Sequence, residues 1–97
     1  MSRLPPFDVV VWVKKTDDFL ELRDALIGLA VTEPDESTDY QGMVDFHWGF
    51  ETYAEADSLA APFAMLRERP EIALLRLSNL ENPSASFTFK DARHVRN

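Results

Sequence analysis

Met43-Val44-Asp45-Phe46-His47-Trp48-Gly49-Phe50 alternates without a break. Val44, Phe46, Trp48 and Phe50 fall on one side of an extended strand; Met43, Asp45, His47 and Gly49 fall on the other. Such a strand turns one face to a core and the other to something wetter. The second face is where a functional site is expected.

Upstream, residues 7–13 are β-branched or aromatic at nearly every position, the composition of a central strand, with Pro5 and Pro6 marking its start. A helix should follow. Asp17 or Asp18 can cap it, Asp18 with Glu21 has capping-box spacing, and Phe19, Leu22, Leu26 and Leu29 recur at helical intervals. Gly28 suits the left-handed residue after the last turn, which would free residues 29–32 for a short strand. The acidic stretch 33–39 then becomes a solvated loop leading into the alternating strand.

Downstream, the capping box Thr52-x-x-Glu55 opens a second helix predicted over 52–69. Pro62 should kink it and Pro70 end it. Residues 72–78 read as a buried strand, and residues 84–90 as a last strand with Ala85, Phe87 and Phe89 inward.

The first six elements give the ferredoxin-like βαββαβ order, one antiparallel sheet with both helices on one face, and a C-terminal strand is added to it. Without the short strand at 29–32, the order becomes βαβαββ, a mixed two-layer sandwich. The 97 residues suffice for a single α+β domain, with 1–6 and 91–97 expected to be flexible termini.

In either topology one sheet face carries no helix. Val10, Trp12, Met43, Ile72 and Leu74 are expected there, alongside Asp45, His47 and Arg76. So apolar a face is rarely left to solvent, and a second copy of the chain is the expected cover. The C-terminal stretch Lys90–Arg96, basic on an acidic body, is an alternative cover, as is a different protein partner.

Asp45 and His47 share a face, and a carboxylate beside an imidazole raises its pKa and orients its ring. A general base uses this arrangement, but so does a half-exposed ion pair on an ordinary amphipathic strand. Asp45, His47 and Arg76 are therefore weak catalytic candidates, and no catalytic residue is assigned.

Several functions are disfavoured. A net charge of −7 argues against nucleic acid, whose binding draws on clustered Lys and Arg. With no Cys and only two His, no metal motif is present, and no cofactor is expected; the loop 35–39 lacks the turn Gly and terminal Glu of a calcium site. Three glycines form no phosphate-cradling loop. No apolar run approaches the roughly 20 residues of a membrane span, and no signal peptide is evident, so a cytoplasmic protein is expected.

Three functions remain. The first is an acidic interaction module, dimeric through its open sheet face. The second is a small enzyme of dimeric α/β-barrel type with a hydrophobic pocket around His47. The third is an acidic inhibitor or immunity-type protein that masks a basic partner through Glu33, Asp35, Glu36 and Asp39.

Overall fold

The computed structural model describes residues 5–40 and 42–91, and the side chains of these except 36–40 and 91. The described residues run β1 (Phe7–Lys14), α1 (Phe19–Ala30), β2 (Asp35–Tyr40), β3 (Met43–Phe50), α2 (Tyr53–Ala64), β4 (Ile72–Asn79) and β5 (Phe87–Asp91). The strands form one antiparallel sheet in the order β2-β3-β1-β4-β5. This is the ferredoxin-like arrangement with β5 added beside β4.

The apolar side of each strand builds the core. Val9, Val11 and Val13 of β1, Val44, Phe46 and Trp48 of β3, and Leu75 and Leu77 of β4 form one cluster with Leu22 and Leu26 of α1 and Ala56, Leu59, Ala60 and Phe63 of α2. Both helices therefore cover the same face. Trp48 meets Phe63 edge-on at 5.1 Å and donates its indole hydrogen to the Thr32 carbonyl.

The connection from α1 to β3 departs from the sequence reading. The helix runs past Gly28 to Ala30, because Ile27 and Ala30 still pack against the core. Val31, not Gly28, takes the left-handed conformation (φ 65°), its N–H bonded to the Ile27 carbonyl. The second strand is thus at Asp35–Tyr40 and not at 29–32, so most of the supposed acidic loop is the edge strand of the sheet. Charged residues are common on such edges, where they deter pairing with other chains. Asp18 caps α1 without a side-chain hydrogen bond.

Around α2 the expected cap forms, with Thr52 Oγ1 accepting from the Glu55 N–H and its hydroxyl donating to Glu55 Oε1. The helix stops at Ala64, short of Arg69. Pro62 in its last turn has no N–H to donate, and the chain continues through i→i−3 turns at Met65, Leu66 and Arg67.

Two bulges reset the faces of the C-terminal half. Trp12 pairs with Leu74 and Val13 with Ile72, so Ala73 is the extra residue. Ile72 consequently turns to the helix side and joins the core; its expected place on the open face is wrong. The second bulge lies at Phe89, between Arg76–Thr88 and Leu75–Lys90. It sends Lys90 to the helix side, where its ammonium donates to the Arg69 carbonyl. Ala85 lies in a short 3₁₀ turn and is exposed, so it is not the inward residue expected; Phe87 shares the helix-facing side with its partner Leu77 but stays 57% exposed at the sheet edge.

Among the described residues no helix is long and apolar enough to cross a membrane. Residues 92–96 of the basic tail and residues 1–4 of the amino terminus lie outside the described residues. Pro5 packs against Gly49, and the Pro6 carbonyl accepts from the Leu80 N–H.

Candidate functional site

The open face is laid out in rows by the register of β3, β1 and β4. His47 lies opposite Val10, which lies opposite Arg76; Asp45 lies opposite Trp12, which lies opposite Leu74. Asp8 is one row beyond His47 on β1, opposite Gly49.

His47 is held between two carboxylates. Its Nδ1 is 2.7 Å from Asp8 Oδ2, and its Nε2 is 3.0 Å from Asp45 Oδ1. A neutral imidazole carries one N–H and can donate to only one of them. The hydrogen bond to Asp8, with further support from Asp45, outweighs the cost of partial burial and pushes the His47 pKa up to about 9. His47 is therefore an imidazolium at neutral pH, and the trio Asp8–His47–Asp45 carries one net negative charge. The Asp45 contact is close but poorly aligned. Its Oδ1 is buried without a hydrogen bond and acts as an ion-pair partner.

This arrangement bears on chemistry. A general base must have a free lone pair near neutral pH. Both nitrogens of His47 face carboxylates, and the ring is already protonated, so it is a donor and a fixed positive charge. A cleft of about 420 Å³ adjoins it, lined by Pro5, Phe7, Leu80 and Gly49 together with Asp8, Asp35 and His47. Among the described residues no group of three or more His, Cys, Asp or Glu could hold a metal ion.

The other named residues are distributed as follows. Arg76 stands in the His47 row but on the far side of Val10, about 10 Å away at two strand spacings, so it does not join the trio. Its Nε is buried with no hydrogen-bond partner, and no carboxylate meets it among the described residues. Trp12 and Met43 are half-buried. Val10 is buried, and Leu74, at 2% exposure, is covered by its own chain and has little surface to offer a partner. Ile72 is on the other side of the sheet.

The pairing of Asp45 with His47 was legible in the sequence as two residues sharing a strand face. Asp8 was missed as the stronger partner. It belongs to the same open face as Val10 and Trp12, but its closeness to His47 depends on the β1–β3 register, which the alternation alone does not set. Comparison with protein-family models, with curated proteins and with solved structures found no match to this chain.

Proposed function

We propose that this protein is a small acidic interaction module that works as a homodimer through its open sheet face. The observation that carries the reading is the half-buried Arg76, whose buried Nε has no hydrogen-bond partner among the described residues, beside Val10 and Trp12 on a sheet face that neither α1 nor α2 covers. A guanidinium in that position gains from an acceptor that its own described side chains do not provide. Trp12, with Met43 beside it, supplies an aromatic anchor of the kind that dominates interface energetics. The apolar centre is thus smaller than the sequence implied, since Ile72 and Leu74 are already buried within the chain.

The His47 trio favours this reading over the enzyme. A clamped imidazolium stabilises a surface and gives it charge, whereas proton abstraction at neutral pH needs the free base. Trp12→Asp tests the reading: size-exclusion chromatography should show a folded monomer. A variant that elutes as the parent does, at equal concentration, would count against the face as the interface.

A further inference from the structure

We infer that the two copies are related by a two-fold axis running parallel to β1, so that Arg76 of each copy lies over the Asp8–His47–Asp45 trio of the other. The inference rests on the dimer reading above and specifies its geometry.

The argument begins with the asymmetry of the open face. The negative trio spans β1 and β3, on one side of Val10 and Trp12, and the positive Arg76 lies on β4, on the other. Two sheets stacked face to face sit about 10 Å apart with strands within about 30° of each other. A two-fold axis between them takes one of two limiting directions. An axis parallel to β1 exchanges left for right and sets each β4 over the partner's β3. An axis perpendicular to the strands sets β4 over β4.

Among the described side chains, only the first direction sets Arg76 over carboxylates. The described open-face side chains of β4 and β5 are Leu74, Arg76, Ser78 and Thr88, none of them a carboxylate. Stacking β4 on β4 would bring the two guanidinium groups together with no counter-charge among the described side chains, which is unfavourable. With the axis along β1, Arg76 meets the row of His47, flanked by Asp8 and Asp45. It has a planar fork of donors to reach either carboxylate. Trp12, half-buried in the single chain, then lies on the axis and packs against its own copy, next to the already buried Val10. Asp8 and Lys14 lie on the same face toward the two ends of β1 and also approach their own copies, Lys14 from the exposed strand end.

A complementation experiment tests the geometry. Arg76→Glu and Asp45→Lys should each raise the dimer dissociation constant on the order of tenfold or more, because each places like charges opposite. Mixing the two variants should restore association to near the parent level. In the mixed dimer Glu replaces Arg over a trio made net positive, and the native arginine still faces the native trio. Sedimentation velocity of each variant and of the mixture reads this directly.

Asp45→Lys also disturbs the His47 clamp and can unfold the chain, so a second measurement is needed. The chain has no cysteine. Asp45→Cys mixed with Arg76→Cys should give a hetero-crosslink with a short bifunctional thiol reagent, and Arg76→Cys alone should not. Crosslinking of Arg76→Cys to itself, without rescue in the mixture, would overturn the axis while leaving a dimer in place. A parent protein that is monomeric would instead overturn the dimer itself.

Discussion

His47 Nδ1 and Asp8 Oδ2 are 2.7 Å apart across neighbouring strands, and this contact ties β1 to β3 on the face that carries no helix. It makes the protein's stability depend on pH. The folded pKa of about 9 exceeds the ordinary histidine value of 6.5. The contribution is therefore complete below about pH 6.5 and declines as the pH rises through about 9. With allowance for the part-exposed ring, it amounts to on the order of 2 kcal/mol. Urea unfolding between pH 6 and 10 should show this decline, and His47→Gln should flatten it. An NMR titration placing the His47 midpoint near 6.5 would contradict the assignment.

Gly28 and Val31 should both be improvable. Gly28 is exposed inside α1 with open space where a Cβ would go, so Gly28→Ala should stabilise by roughly 0.5–1 kcal/mol. Val31 is 85% exposed and holds a left-handed conformation that β-branched residues disfavour. Val31→Gly should stabilise by about 1 kcal/mol. Midpoints of urea unfolding check both, and a loss of stability in either would contradict the described end of α1.

Gly49 shows the opposite constraint. A Cβ there would lie 2.7 Å from Pro5 Cγ, so Gly49→Ala must push the amino-terminal segment off the sheet. The expected cost is about 1–3 kcal/mol. Proteolysis near Pro5 should also become faster than in the parent.

Much of the architecture follows from side-chain period. The alternation of β3 and the capping box at Thr52 appear where the sequence puts them, because each depends on residues close in the chain. The features that were missed depend on partners far along it. The bulge at Ala73 decides that Ile72 faces the helices, and the β1–β3 register decides that Asp8 meets His47. The polar edge strand Asp35–Tyr40 has no apolar alternation to reveal it, and its backbone pairing with β3 alone makes it a strand.

Sedimentation equilibrium of the unmodified protein from low to high micromolar concentration tests the central claim most directly. A reversible monomer–dimer equilibrium reaching twice the chain mass of 11.1 kDa is the predicted result. A single species of 11.1 kDa throughout that range would contradict it.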